Sequence, residues 1–216
     1  MGWSDGYASI WALNAIAALG KCPWCKALFW LDDAEQVGVL PRGPYRIGWI
    51  ERAYLHLTGD KRGLLARERT WHTTPWEWKS AKDIELPTLA DWQTALQERA
   101  ALTPAREKLA RRQIWWRSND HLRFRRDGTP CEAQAVMAAG DEQENLERLL
   151  ELREAEPKPD LVELGEILRE LGRFEEALAV LERVDGKQRE QALLIADFAR
   201  GGDAVVREVW RSQYDY

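Results

Sequence analysis

Three glycines frame the second half of this chain. Gly140, Gly172 and Gly202 stand 32 and then 30 residues apart. Such a period suits a repeated pair of helices joined by a turn. A glycine accepts the left-handed conformation that ends a helix without steric cost, so the next helix can fold back on the last. Ala139-Gly140-Asp141 is followed by Asn145 and Leu149, Leu171-Gly172-Arg173 by Phe174, Ala177 and Leu181, and Gly201-Gly202-Asp203 by Val206 and Val209. The clearest unit is LVELGEILRELGRFEEALAVLERV, residues 161–184, in which the small Gly165 and Ala177 would let two helices approach closely. One such unit cannot bury its apolar face alone. The pattern therefore predicts stacked helical hairpins, with the N-terminal part of the chain as a capping surface.

Helical signals extend upstream. Thr88 stands before LADWQTALQERAAL as a cap, and Thr103 before a helix with Pro104 at its first position, the favoured place for proline. This second helix is expected to stop near Asn119 and Asp120, and the two should form an antiparallel hairpin. The first half is different in composition. Of 12 tryptophans, 11 lie in the first 116 residues, and tryptophan brings a large buried area with one donor to satisfy. Residues 7–20 read as an apolar helix ended by Gly20; Asp5 before it and Asn14 within it argue against an export signal, and the run is too short to cross a bilayer. Residues 40–44 read as a break, residues 45–58 as a helix on Ile47, Ile50, Tyr54 and Leu57, and the stretch around Trp76 and Trp78 as extended. The expected architecture is mainly α, with a small Cys/Trp-rich unit of little β structure over residues 1–87 and helical hairpins over residues 88–216.

Charge and cysteine usage narrow the function classes. The net charge of -5 supplies no global basic field for nucleic acid or an acidic membrane. Three cysteines in 216 residues make no disulfide framework, and the odd count speaks against a secreted, oxidised scaffold. The cytoplasm is the expected compartment.

The cysteines pose the main chemical question. Cys22 and Cys25 lie in KCPWCKALFW, where a Cys-Pro-x-Cys turn can present two thiolates to one metal with backbone amides aimed at the sulfurs. That makes the turn half of a candidate structural zinc site. Such sites are closed by four ligands, and the other candidates are Cys131, His56, His72 and His121, at no telling spacing. The alternative is a reduced structural turn that holds no metal. The turn also resembles the active-site turn of glutaredoxins, which would make Cys22 and Cys25 a thiol redox pair. That fold needs a buried strand before the turn, whereas IWALNAIAALG reads as helix.

Residues 106–126 carry eight basic residues against two acidic ones, interleaved with Trp115, Trp116 and Phe124. Arginines among stacking aromatics suit single-stranded nucleic acid. The same pattern suits a helix with Leu109, Ile114 and Trp116 inward and its arginines paired with neighbouring acids, which the net negative charge favours. Trp71, Trp76 and Trp78 could line a groove for a peptide or a sugar, or simply cover the core. Asp32 and Asp33 are adjacent and would diverge by roughly 100° on a helix. There is no P-loop, no dinucleotide fingerprint and no histidine with a partner in a motif. No catalytic residue is predicted.

Two resemblances arise from these residues. Residues 161–184 resemble a tetratricopeptide repeat: Leu164 and Gly165 take the place of its Leu-Gly pair, Leu168 of its tyrosine, and Gly172, Phe174 and Ala177 of its turn and helix crossing. The likeness covers roughly residues 132–210, and implies binding of peptides or partner proteins. The whole chain resembles a group of bacterial proteins without an assigned activity. These combine a CPxC turn followed by Phe-Trp (Cys22, Cys25, Phe29, Trp30), a Trp-Trp…Asn-Asp element (Trp115, Trp116, Asn119, Asp120) and a repeat like residues 168–178. That resemblance implies the architecture and a bacterial cytoplasmic setting, and no reaction. Lys26 departs from it, since zinc knuckles favour glycine after the second cysteine. The expectation is a non-enzymatic interaction or adaptor protein with a protein partner, contacted in part through Trp115, Trp116, Arg117, Asn119 and Asp120, with no cofactor or one structural zinc. A thiol redox protein and a nucleic-acid binder are the alternatives.

Overall fold

A computed structural model describes residues 2–6, 18–38, 73, 78, 80–98, 102–123 and 137–210. Contacts divide the chain into two units, Met1–Ala17 with Leu86–Tyr216, and Ala18–Glu85. The expected division at residue 87 kept the whole N-terminal stretch together. The contacts instead assign its first residues to the helical unit, because Ser4 and Asp5 are bonded there.

The helical unit is built from α1 (Leu89–Gln97), α2 (Pro104–Ser118), α3 (Ala139–Glu154), α4 (Leu161–Glu170), α5 (Phe174–Leu181) and α6 (Arg189–Arg200). The protein is mainly α, as expected. Local chemistry explains the starts. At α1, Thr88 Oγ1 accepts from the Asp91 amide at 3.3 Å while Asp91 Oδ2 accepts from the Thr88 amide at 2.9 Å, a reciprocal box that satisfies two otherwise free donors. Thr103 Oγ1 accepts from the Arg106 amide at 3.3 Å, and Pro104 takes the first helical position. Asp160 caps α4 by accepting from the amides of Val162 and Glu163.

The turn glycines behave unequally. At Gly172 (φ +74°) the Arg173 amide reaches back to Leu168 O and the Gly172 amide to Arg169 O, both at 2.9 Å. This is the paired closure of a left-handed helix end. Gly202 (φ +67°) repeats it on Phe198 O and Ala199 O. Gly140, expected to end a helix, instead lies in the first turn of α3. No helix follows Gly202 in the described residues. The chain forms a strand, β4 (Glu208–Trp210), that pairs antiparallel with β1 (Gly2–Trp3). Val206 is buried, as a helical reading also required, so burial at that position did not discriminate between the two.

Each helix packs on the next, and α6 also returns to α4. One core gathers Trp115 from α2, Leu146, Leu149 and Leu150 from α3, Leu164, Ile167 and Leu168 from α4, Ala177 from α5 and Ala199 from α6. A second joins Val162, Leu181, Val184, Ala192, Ile195 and Ala196. The closest approach is at Gly165. A Cβ there would stand 2.5 Å from both Cγ and Cδ2 of the buried Leu181.

The other unit contains β2 (Leu19–Lys21) and β3 (Leu28–Trp30), paired antiparallel with Gly20 opposite Phe29. The helix expected to end at Gly20 is therefore replaced at its last residues by a strand; residues 7–17 lie outside the described residues. A Cβ at Gly20 would meet the Phe29 ring at 3.0 Å, so glycine leaves room for that aromatic across the ladder. Lys21 bridges to Glu85. The stretch expected to be extended around Trp76 and Trp78 is helical at the two positions described, Thr73 and Trp78. The Trp78 ring lies directly over Gly38, where a Cβ would overlap it. The break over residues 40–44, the helix over residues 45–58, Trp71 and Trp76 lie outside the described residues. Among the described residues no helix is long and apolar enough to cross a membrane.

Replacing Gly165 by alanine sets a helix-propensity gain of about 1 kcal/mol against overlap with Leu181. Overpacking typically costs about 1–3 kcal/mol, and Leu181 is buried in the second core cluster, 1% exposed. Gly165→Ala should therefore lower stability by about 1 kcal/mol or more, measured by urea unfolding.

Candidate functional site

Two places gather polar chemistry, one in each unit. The first is the loop at residues 22–27 joining β2 to β3. Its ends are closed by Cys22 N–H donating to Ala27 O at 2.9 Å and Lys26 N–H donating to Cys22 O at 3.0 Å. This closure forces Lys26 to φ +62°, a conformation that glycine adopts more readily. Both thiols are free; Cys22 is half-buried and Cys25 exposed. The backbone N–H of Cys25, then that of Trp24, then the Cys25 side chain donate to Cys22 Sγ, and together they hold the Cys22 thiol below its ordinary range. The loop tip carries Trp24, 68% exposed, with Lys82 Nζ 4.1 Å from its ring centre. Lys26 is paired with Glu85. A strand follows the second cysteine, whereas in a glutaredoxin-like turn a helix begins there.

Of the ligands expected to accompany the two cysteines, Cys131, His56 and His72 lie outside the described residues. His121 donates from Nδ1 to Ser118 O at 2.6 Å, in the other unit. Among the described residues no group of three or more potential metal ligands gathers.

The second place is a buried polar network in the helical unit. Asp5 and Arg123 are an ion pair with side chains 0% and 1% exposed. Arg123 Nη1 also donates to Asp120 Oδ1 at 2.7 Å and to the carbonyl of Trp116. Trp116 Nε1 donates to Asp5 O at 2.8 Å, and Asn119 Nδ2 is shared at 3.2 Å between Asp5 Oδ2 and Glu170 Oε2. Trp115 Nε1 donates to the same Glu170 oxygen at 2.8 Å. Beside it Arg169 forks onto Glu166 with bonds of 2.7 and 2.6 Å, both side chains fully buried, and reaches the carbonyl of Asp203. Sequence reasoning singled out Trp115, Trp116, Arg117, Asn119 and Asp120 as a contact for a partner. Trp115 and Asn119 are instead buried inside this network, where neither side chain can meet another molecule. Asp5 and Glu170 were missed because their partners lie far away in sequence, and Glu166 and Arg169 because a pair three residues apart on a helix does not reveal in sequence that it is buried.

Asp5 and Trp116 of the network also line a groove of about 530 Å³, in which Trp3, Trp116, Val162, Leu194 and Val209 form the apolar part and nine polar or charged residues most of the rest. Arg112 stands on its wall, 5.2 Å from the Trp116 ring centre and 3.7 Å from Glu163. Two further bases of α2 are met by acids. Arg111 bonds Glu107 at 3.0 Å, and Lys108 pairs with Glu156. Three of the five bases of α2 are thus paired with acids.

Cutting the central pair leaves a buried charge unpaired, which typically costs about 3–5 kcal/mol. Asp5→Ala and Arg123→Ala should each lower stability by that much, and the double variant by far less than the sum, in a urea double-mutant cycle.

Glu170 carries the pH dependence. Burial first, then the Glu166 and Asp5 carboxylates, push its pKa well above the ordinary value, against the donors Trp115 and Asn119. Between the unfolded and the folded pKa the folded chain keeps a proton that the unfolded chain has released. Stability from this group therefore falls as pH rises through that window. Glu107 and Glu156 act in the opposite sense. Arg148 holds Glu107 low and Lys108 holds Glu156 low, so their contributions are lost on acidification. Glu170→Gln keeps the acceptor for Trp115 and has no such window. Its melting temperature should match the parent near pH 4 and exceed it by about 2 °C or more at pH 8, the shift of roughly 1 kcal/mol in a chain of this size.

Comparison of the chain with protein families, with curated proteins and with solved structures finds no match.

Proposed function

We propose that this protein is a non-enzymatic interaction protein that holds a segment of a partner protein in the groove over Trp3, Trp116, Val162, Leu194 and Val209. The groove carries the reading. Its volume of about 530 Å³ is within the usual range of binding clefts, and it sets the apolar Trp3, Trp116, Val162, Leu194 and Val209 among nine polar or charged lining residues, a mixed surface suited to an amphipathic peptide segment. Glu190 and Lys187 stand at its edge, while Arg112 is already engaged by Glu163 and Trp116. An aliphatic side chain would meet the apolar part, and a basic neighbour would meet Glu190.

The helices beneath fit a tetratricopeptide-like arrangement in their best-defined pair. Gly172 closes the turn between α4 and α5, and Gly165 admits Leu181 at the crossing. Arrays of that kind usually hold peptides or proteins. The pairing of α2 bases with Glu107, Glu156 and Glu163 favours a protein over a nucleic acid, since binding phosphates requires positive charge that neighbours do not neutralise.

A photoreactive amino acid at Leu194, which is exposed at the groove, tests the reading against the same residue placed at Glu175 on the exposed face of α5. Leu194 should give a discrete protein adduct that Glu175 does not, and a peptide from the adduct site should bind about tenfold or more weakly to Leu194→Lys, a difference of about 1.4 kcal/mol. Equal labelling at the two positions would remove the groove as the contact.

A further inference from the structure

We propose that residues 2–6 form a proton-controlled strap, held against the helical unit while the Glu170 carboxyl is neutral and released when it ionises. The bonds at Glu170 carry this. Its Oε2 accepts from Trp115 Nε1 at 2.8 Å and from Asn119 Nδ2 at 3.2 Å, and the same Asn119 nitrogen donates to Asp5 Oδ2 at 3.2 Å. One amide group thus joins Glu170 to the strap. The other oxygen, Oε1, is buried and accepts no hydrogen bond among the described residues. A charge there would be withdrawn from water with one oxygen unmet, a state that a neutral acid tolerates far better. Burial, then the Glu166 and Asp5 carboxylates, favour the neutral form.

The charges around Glu170 are already engaged. On its own helix, Glu166 is held by the fork of Arg169, which also reaches the Asp203 carbonyl after α6. Asp5 is paired with Arg123, which also meets Asp120. On α3, Glu142 accepts from Ser118 Oγ at 3.1 Å, and His121 is bonded to Ser118 O. Arg117 stands roughly 200° around α2 from Trp115. An ionised Glu170 would therefore be a third carboxylate beside two occupied guanidiniums. Of its two acidic neighbours, only Asp5 can withdraw without melting α4, since Glu166 lies about one turn away on the same helix. The strap is tied to β4 by a ladder of two residues whose register shifts between Gly2 and Trp3. Beyond the ladder, Ser4 N–H donates to Arg207 O at 2.7 Å and Arg207 N–H to Ser4 Oγ at 2.9 Å. Docking sets Asp5 beside Glu170 and so favours its proton. By linkage, loss of that proton as pH rises favours undocking. Trp3, Ser4, Asp5 and Gly6 line the groove, so the groove loses that wall with the strap, whatever it holds.

The test follows amide hydrogen exchange in the full, reduced chain from about pH 5 to 9, with each rate divided by the intrinsic rate of its amide. Protection of the Ser4 and Arg207 amides should fall about tenfold or more over this range, through an opening that low urea does not accelerate. The amides of α4 should exchange only through an opening that urea does accelerate. In Glu170→Gln, Ser4 and Arg207 should keep their protection. His121 is present in both chains, so the comparison cancels it. Should Glu170→Gln fail to fold, the carboxyl carbon of Glu170 in the parent, followed by NMR, gives the second reading: the loss of strap protection should level off at the pH where that carboxyl titrates. Equal loss in the parent and Glu170→Gln, or protection in the parent that does not change with pH, overturns the proposal. So does exchange of the Ser4 and Arg207 amides only together with those of α4.

Discussion

The Asp5–Arg123 ion pair is the contact around which the helical unit is organised. Two opposite charges that are fully withdrawn from water attract strongly, yet they recover the cost of leaving it only if their remaining hydrogen-bonding capacity is also met. Arg123 meets that requirement with Asp120 and the Trp116 carbonyl, and Asp5 with Asn119. Each of those partners is in turn fixed by the end of α2. The pair therefore holds the N-terminal residues, the last turn of α2 and the segment after it in one arrangement. With Trp116 Nε1 on the Asp5 carbonyl, it also places an indole that lines the groove.

Glu170 introduces a counterpoise. It is the shared acceptor for Trp115 and Asn119, and it lies among carboxylates of the same sign. The arrangement gains two hydrogen bonds from buried donors and accepts an acid whose charge is unwelcome there. Arg169 neutralises Glu166 on one side and Arg123 neutralises Asp5 on the other, which leaves Glu170 as the member without a cation of its own among the bonds described. The specificity of such a network lies in its geometry more than in its net energy.

How much of this was legible depends on how far apart the interacting residues stand. Thr88, Thr103 and Gly172 act within a few residues of themselves, and their roles as caps could be read from the sequence. Gly140 could not be separated from a cap, because a glycine beside an aspartate suits both the end of one helix and the first turn of the next. Val206 and Val209 have a spacing that allows a helix, and what makes the segment a strand is β1, more than 200 residues earlier. The buried network was opaque for the same reason. Asp5 meets Arg123 across 118 positions and Trp115 meets Glu170 across 55. The Trp-Trp…Asn-Asp element stood out in sequence as a surface for a partner; Trp115 and Asn119 are instead internal fittings, and Trp116 alone of the two tryptophans reaches the groove. At the cysteine turn, the departure at Lys26 marked the position that takes a positive φ, though not the strands that flank it.

The pairing of Gly2 and Trp3 with the strand at residues 208–210 also orders events during synthesis. Gly2 and Trp3 leave the ribosome more than 200 residues before their ladder partner is made. Until then Trp3 and Asp5 have no β4 to lie beside, and closing so long a loop is slow compared with forming helices from neighbouring residues. The helices can therefore assemble as they emerge, while the N-terminal segment waits and docks as a late step. A nascent chain at that stage exposes the indole of Trp3 and leaves Arg123 with Asp120 but without Asp5, which makes the interval before docking the time when it is most prone to aggregate.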